Sequence, residues 1–139
     1  MFSQITTRIA IGNYVDARAI ELLKQYEIDC ILNVNDIEIK KPDYWTGGKI
    51  FYYWSPVPKD TTRTQCDYKK DINDSAKKLE QHINAGWERM FVHCLEGIDR
   101  APAVVAKYLM NVAHITPHQA YDLIQKQRPE IFRHVDWIQ

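Results

Sequence analysis

The residues best suited to chemistry lie in one short segment, residues 93–100. Its sequence is His93-Cys94-Leu95-Glu96-Gly97-Ile98-Asp99-Arg100. A cysteine thiolate is a nucleophile, and the planar guanidinium of an arginine can bind two oxygens of one phosphoryl group. If the five residues between Cys94 and Arg100 curl, their backbone N–H groups can converge on an anion, and Gly97 can adopt the positive φ that the curl needs. These residues predict an anion-binding loop with a nucleophile at its base.

In the predicted loop, a bound phosphate would lie above Cys94. Its ligands would be Arg100 and the loop residues Leu95, Glu96, Gly97, Ile98 and Asp99. A helix that starts at Arg100 adds its own N–H groups and the positive end of its dipole. These groups favour the thiolate form of Cys94, and a thiolate below a bound phosphate is placed for in-line attack on phosphorus. Because the loop donors and Arg100 can take the place of a metal ion, the segment predicts phosphoryl transfer without a metal or cofactor.

The elements that must position this loop follow from the apolar pattern. Runs typical of buried strands occupy residues 9–11, 28–34, 50–54 and 90–92. Apolar periodicity predicts helices over residues 16–26, 68–85, from about 101 onward, and 117–128, while residues 40–48 are expected to form a loop. Alternating strands and helices predict one α/β domain over residues 1–139, with a mainly parallel central sheet flanked by helices on both faces. Such sheets bind ligands at the carboxyl ends of their strands, which is where segment 93–100 begins.

Individual residues are expected to define the helix ends and inward faces. Asp16 is predicted to cap the first helix, Gly86 to follow the end of the second, and Thr116-Pro117 to open the last. The helix after the loop is expected to bury Val104, Val105, Tyr108, Leu109 and Val112.

Composition excludes several classes of protein. The 139 residues include 18 Lys+Arg and 18 Asp+Glu, and a net charge of zero argues against binding long nucleic acids. Apolar residues make up 45%, which is ordinary for a globular domain, and no run of about 18 apolar residues could span a membrane. Three cysteines without a CxxC pattern exclude a disulfide scaffold and a conventional zinc site. The composition is therefore typical of a soluble cytoplasmic protein.

The H-C-x5-R pattern of Cys94 and Arg100 resembles the phosphate loop of the protein tyrosine phosphatase superfamily, and nearly the whole chain resembles its small dual-specificity branch. The other matching stretches are residues 9–13, 17–23, 31–34, 106–110 and 128–129. The resemblance implies a parallel-centred sheet flanked by helices, with Cys94 as the nucleophile that becomes phosphorylated and Arg100 as the clamp on the phosphate. It also implies that His93 helps to hold the loop and to favour the thiolate.

Expulsion of the leaving oxygen needs a proton donor on the far side of the phosphate. The resemblance implies that this donor is an aspartate on a mobile loop before the cysteine. Asp60 is the preferred candidate, since it follows the proline-rich residues 55–58 and lies 34 positions before Cys94. Asp67 and Asp99 are the alternatives, although Asp67 also lies where a helix is expected to begin.

The segment departs from the family pattern after the arginine. Ala101 stands where the family usually has Ser or Thr, whose hydroxyl helps the sulfur to leave the phosphoenzyme, so slower hydrolysis of the phosphocysteine is expected. Asp99 is interpreted as a first-turn acid that faces solvent. The alternative is a part in proton transfer, as in the similar lipid phosphatases of the myotubularin type. With Glu96 it makes an acidic rim that would disfavour acidic phosphopeptides.

Two further groups of side chains have simpler interpretations. Lys59 and Arg63 are interpreted as solvated loop charges, with a place at the pocket mouth as the alternative. Cys30 is predicted to be a core residue, and Cys66 could form a protective disulfide with Cys94 under oxidation.

The sequence therefore predicts a cysteine-dependent phosphomonoester hydrolase. We expect a protein phosphatase that acts on phosphotyrosine and/or phosphoserine/threonine through a phosphocysteine intermediate, with a phosphorylated protein as its partner. A phosphoinositide or RNA 5′-phosphatase of the same mechanism, or a phosphate-binding pseudophosphatase scaffold, is the alternative. Substrate preference and oligomeric state stay open.

Overall fold

The computed structural model describes residues 2–38 and 50–139. The strands are β1 (Ser3–Gln4), β2 (Ile9–Gly12), β3 (Cys30–Asn33), β4 (Phe51–Trp54) and β5 (Met90–His93). The helices are α1 (Ile20–Gln25), α2 (Gln65–Asn84), α3 (Arg100–Ala113), α4 (Pro117–Gln127) and α5 (Val135–Ile138), and a short 3₁₀ turn covers Asp16–Arg18. The predicted loop over residues 40–48 lies outside the described residues. Within residues 2–38 and 50–139, no helix is both long and apolar enough to cross a membrane.

The five strands form one sheet in the order β1-β2-β5-β3-β4. β2, β5, β3 and β4 run parallel, and β1 pairs antiparallel with β2. The prediction of a mainly parallel sheet is confirmed. The register aligns the last residues of the four parallel strands, so that Gly12, His93, Asn33 and Trp54 form one row. Whatever follows β5 therefore lies in the middle of this edge.

Both faces of the sheet are covered, as predicted. Alternate strand residues, such as Ile11, Leu32 and Val92, pack with the buried faces of α2 to α5. The residues between them, such as Ile31 and Phe91, pack on the other side with the apolar residues around α1. Because β5 is buried on both faces, its sequence is a continuous apolar run that ends in a polar residue, rather than an alternating one.

Two helices begin with reciprocal caps that the sequence encodes locally. The Thr64 side chain accepts from the Asp67 N–H and the Asp67 carboxylate accepts from the Thr64 N–H, so α2 begins at Gln65, three residues before the predicted start. Thr116 and Gln119 form the same pair at the start of α4, with Pro117 as the first helical residue. Gly86 follows the last turn of α2 with a φ of +112°, as expected of a residue that ends a helix.

Two details of the predicted helices are wrong. Asp16 does not cap a continuous helix, because its buried carboxylate accepts from the Asn13 N–H (3.0 Å) inside the 3₁₀ turn, and α1 starts only at Ile20. Val112 is 43% exposed, because the last turn of α3 extends beyond the part of the helix that packs on the sheet.

Candidate active site

The loop after β5 occupies the centre of the sheet edge where the four parallel strands end. Cys94 follows His93 directly and is buried, with 1% of its surface exposed. The chain then turns through residues 95–99 and enters α3 at Arg100. Residues 94–99 are called the 94–99 loop below. Its position agrees with the strand-end site that the sequence predicts.

The backbone carbonyls of this loop are all held by groups outside it. Five consecutive carbonyl oxygens each accept a hydrogen bond, two of them from one arginine. The pairs are Cys94 O with His93 Nδ1 (3.2 Å), Leu95 O with Tyr14 N (3.0 Å), Glu96 O with Arg128 Nη2 (3.4 Å), Gly97 O with Arg128 Nε (2.8 Å) and Ile98 O with Phe132 N (2.9 Å).

This arrangement sets the direction of the loop amides. The C=O and N–H of a trans peptide point in opposite directions, so carbonyls held outward turn the N–H groups of residues 95–99 inward. The Gly97 N–H donates to the Cys94 sulfur at 3.3 Å, which shows that the sulfur lies on the inward side. Gly97 has a φ of +74°, and a Cβ on it would lie 2.6 Å from the Gly12 carbonyl oxygen. The loop therefore has the form of a bowl lined with N–H donors above a sulfur atom.

Arg100 is buried beside this bowl and is held from two other segments. Its Nη1 donates to Asp36 Oδ1 (3.2 Å), which follows β3, and to the Val57 carbonyl (3.1 Å), which follows β4. Its Nε is buried without a hydrogen-bond partner in the part of the chain that the structure describes. The unpaired N–H of this buried guanidinium can donate a hydrogen bond to an anionic oxygen.

The preferred proton donor, Asp60, lies on the segment between β4 and α2. It is exposed, and its Oδ1 accepts from the N–H (2.8 Å) and hydroxyl (2.9 Å) of Thr62. The hydrogen bond from the Thr62 backbone, followed by that from its side chain, lowers the pKa of Asp60. These hydrogen bonds favour the carboxylate form of Asp60, whereas a proton donor must be protonated when the leaving oxygen departs.

The two alternative acids are held in other ways. Asp67 is committed to the cap of α2, and hydrogen bonds from Thr64 lower its pKa. Asp99 does not face solvent, so that expectation is wrong. Its carboxylate accepts from Lys59 Nζ (2.6 Å) and His134 Nε2 (2.6 Å), and its side chain is 13% exposed. Burial alone raises the pKa of Asp99, but the hydrogen bonds from Lys59 and His134 outweigh it and the net pKa is lowered.

His93 is fully buried at the base of the loop. Burial lowers the pKa of His93 to about 4, so the imidazole is neutral at pH 7 and brings no positive charge to the sulfur. Its Nδ1 donates to the Cys94 carbonyl instead. Of the two roles expected for His93, this contact favours holding the loop over stabilising the thiolate.

Comparison with known protein families shows where this chain belongs. The family model described as "Dual specificity phosphatase, catalytic domain" matches residues 9–139. The chain belongs to the dual specificity phosphatase family. The predicted family is therefore confirmed, together with its phosphatase-type fold.

Two relatives of this dual specificity phosphatase domain are much longer than the chain itself. Dual specificity protein phosphatase 9 of Homo sapiens is 26% identical over 92% of this chain and 32% of its own length. The MAP kinase phosphatase with leucine-rich repeats protein 3 of Dictyostelium discoideum is 32% identical over 93% of this chain and 14% of its own length. The chain thus spans about a third or less of these two curated relatives.

Solved structures share the fold at lower identity. The crystal structure of DUSP15 aligns with a TM-score of 0.78 and 20% identity, covering 98% of this chain and 81% of that one. Human DUSP28 aligns with a TM-score of 0.78 and 18% identity, covering 98% and 86%.

In this dual specificity phosphatase domain, several site contacts escape the sequence analysis. Asp36 holds Arg100, and Arg128 holds the 94–99 loop, although the sequence shows Arg128 only as part of a family stretch. Lys59 and Arg63 are not free loop charges, because Lys59 pairs with Asp99 and Arg63 with Asp71. The sequence does not reveal these contacts, because the two residues of each pair lie far apart along the chain or show no periodic spacing. Asp36 follows Asn35 in a polar stretch after β3, so its residue type gives no signal either.

Proposed function

We propose that this domain is a cysteine-dependent phosphomonoester hydrolase that removes phosphate from phosphotyrosine and/or phosphoserine/threonine of protein substrates. The observation that carries the proposal is the bowl of the 94–99 loop. Its amides turn towards the Cys94 sulfur, and the buried Arg100 lies at its exit. Such a bowl suits a tetrahedral dianion, whose oxygens need several donors at once.

The reaction has two steps. In the first, the Cys94 thiolate attacks phosphorus, the bond from phosphorus to the substrate oxygen breaks, and Asp60 gives that oxygen a proton. In the second, water attacks the phosphocysteine, Asp60 takes the proton from the water, and the thiolate leaves as inorganic phosphate forms. The loop amides and Arg100 stabilise the charge on the non-bridging oxygens in both steps.

The second step has less support from the protein than the first. Ala101 is fully buried in the first turn of α3 and has no hydroxyl to offer the departing sulfur. Phosphocysteine is therefore proposed to accumulate during turnover. This phosphatase is also proposed to work in the cytoplasm, because its mechanism needs Cys94 as a free thiol and reducing compartments keep thiols free.

The test is hydrolysis of p-nitrophenyl phosphate in the presence of EDTA. We expect activity in the wild type, none in Cys94→Ser, and full activity in Cys66→Ser, which removes an exposed cysteine instead. Activity that survives Cys94→Ser would overturn the mechanism. Rates on phosphotyrosine and phosphothreonine peptides, compared with a phosphoinositide and a 5′-triphosphorylated RNA, test the substrate class. Phosphate binding without turnover would indicate a pseudophosphatase scaffold.

A further inference from the structure

Three segments that are far apart in the sequence meet at the Asp99 carboxylate. One oxygen accepts from Lys59, which precedes Asp60 on the segment after β4, and the other accepts from His134, just before α5. Both distances are 2.6 Å. The side chains of Lys59, Asp99 and His134 are called the Asp99 clamp below.

A second path joins the clamp to the backbone of Asp60. The His134 ring stacks on Trp137 with centroids 3.6 Å apart, and Trp137 stacks on Tyr68 at 4.3 Å. The Tyr68 hydroxyl accepts from the Asp60 N–H at 3.2 Å. The segment carrying the proposed proton donor is thus held at its Lys59 side chain and at its Asp60 backbone, and both holds lead to Asp99.

The surroundings of Asp99 distinguish it from an ordinary surface partner. Exposed ion pairs contribute little, because water screens them and two long side chains must be ordered. Asp99 is mostly buried and each of its oxygens has a cationic or N–H donor, so the charge is compensated without help from the bound anion. The carboxylate is also directed into the clamp, which resolves how an acid can precede Arg100 without opposing phosphate.

We propose that Asp99 is a positioning residue that, through Lys59 and His134, holds the Asp60 segment over the 94–99 loop for proton donation. The inference rests on the proposed function and deepens it. It also assigns Asp99 a role other than donating the proton itself, which is the alternative that the sequence leaves open.

The clamp should be visible in the dependence of rate on the leaving group. Proton donation matters for a basic leaving oxygen and hardly at all for an acidic one. The quantity to follow is kcat/KM, because it reports formation of the phosphocysteine even where its hydrolysis limits kcat. For phenyl phosphate, Asp99→Asn and Lys59→Met are each expected to lower kcat/KM about tenfold or more, a fraction of the roughly 10²–10⁴-fold that acid catalysis supplies. For 2,4-dinitrophenyl phosphate the loss should stay below about threefold.

Two control variants and one double variant separate positioning from other effects. Lys59→Arg keeps the charge and should restore most of kcat/KM. Lys70→Met removes an ion pair with Asp74 on the surface of α2 and should leave kcat/KM unchanged for both substrates. In an Asp60→Asn background, Asp99→Asn should have no further effect on phenyl phosphate. A further loss in that background, or a wild-type profile for Lys59→Met, would overturn the proposal.

A measurement independent of activity keeps the clamp separate from the proposed function. The Arg63 N–H donates to the Asp60 carbonyl at 3.0 Å, so its hydrogen exchange reports order in the Asp60 segment. Exchange should be at least about fivefold faster in Lys59→Met than in the wild type and unchanged in Lys70→Met. Equal exchange in all three proteins would refute the clamp even if the wild type proved inactive, whereas an inactive wild type with the expected exchange pattern would refute only the proposed function.

Discussion

Replacing Arg128 by methionine is expected to release the 94–99 loop from the rest of the domain. The guanidinium is buried and donates to the Gly97 carbonyl at 2.8 Å and the Ser3 hydroxyl at 2.9 Å, with a longer contact of 3.4 Å to the Glu96 carbonyl. Methionine is similar in length and apolar, so the change removes the donors while it keeps most of the packing.

The size of the effect follows from these contacts. A hydrogen bond to a charged group contributes about 1.5–3 kcal/mol, and the contacts of Arg128 with Gly97 and Ser3 are short enough to count fully. The ion pair with the exposed Glu130 adds little. We therefore expect a loss of about 3–6 kcal/mol in the free energy of unfolding, against the roughly 5–15 kcal/mol of a typical domain, and a melting temperature about 10–20 °C lower.

The folded fraction should also bind anions less tightly. Without Arg128, the Glu96 and Gly97 carbonyls lose these donors and the loop amides are less pre-organised. If ordering them costs about 1.4 kcal/mol, affinity for an anion falls about tenfold. Thermal melting and competitive inhibition by tungstate measure the two effects separately.

Arg133→Met is the matched control. Arg133 bonds to Gln125 and Asp122 at the surface, so its loss should cost less than about 1 kcal/mol and leave tungstate inhibition unchanged. Equal melting temperatures for the two variants, or a wild-type inhibition constant for Arg128→Met, would refute the role assigned to Arg128.

Two further predictions concern the loop and its base. Gly97→Ala should abolish activity and lower the free energy of unfolding by more than about 2 kcal/mol, because the new Cβ would lie 2.6 Å from the Gly12 backbone. A Cβ at Gly86 would have no atom of the described residues within 4 Å, so Gly86→Ala should keep normal activity and lose only the stability that its strain at positive φ costs. Urea unfolding and phosphatase assays compare the two variants. The pKa of His93 is about 4 when folded against 6.5 in its unperturbed form, so the unfolded chain binds a proton that the folded chain excludes. Stability should then fall by up to about 3 kcal/mol as pH drops from 6.5 to 4, and His93→Gln should remove that part of the slope in urea titrations at several pH values; identical slopes would contradict it.

Much of the fold could be predicted from short stretches of this sequence. The apolar runs of β2, β3 and β5, the Thr116-Pro117 start of α4 and the turn at Gly86 each depend on neighbours within a few residues. The same holds for the order of Cys94, Gly97 and Arg100 within residues 94–100. A cysteine, a glycine tolerant of positive φ and an arginine at this spacing already predict the proposed chemistry, because their relation is local.

The orientation of the site depends on contacts between distant parts of the chain. Arg128 reaches Ser3 across 125 positions, Arg100 reaches Asp36 across 64, and Asp99 reaches Lys59 across 40. No periodicity or spacing encodes such pairs, since each forms only when parallel strands bring their carboxyl ends to one edge and the helices pack around them. For the same reason a charge such as Lys59 resembles a solvated loop residue in the sequence, and becomes a partner of the active-site loop only once the chain has folded.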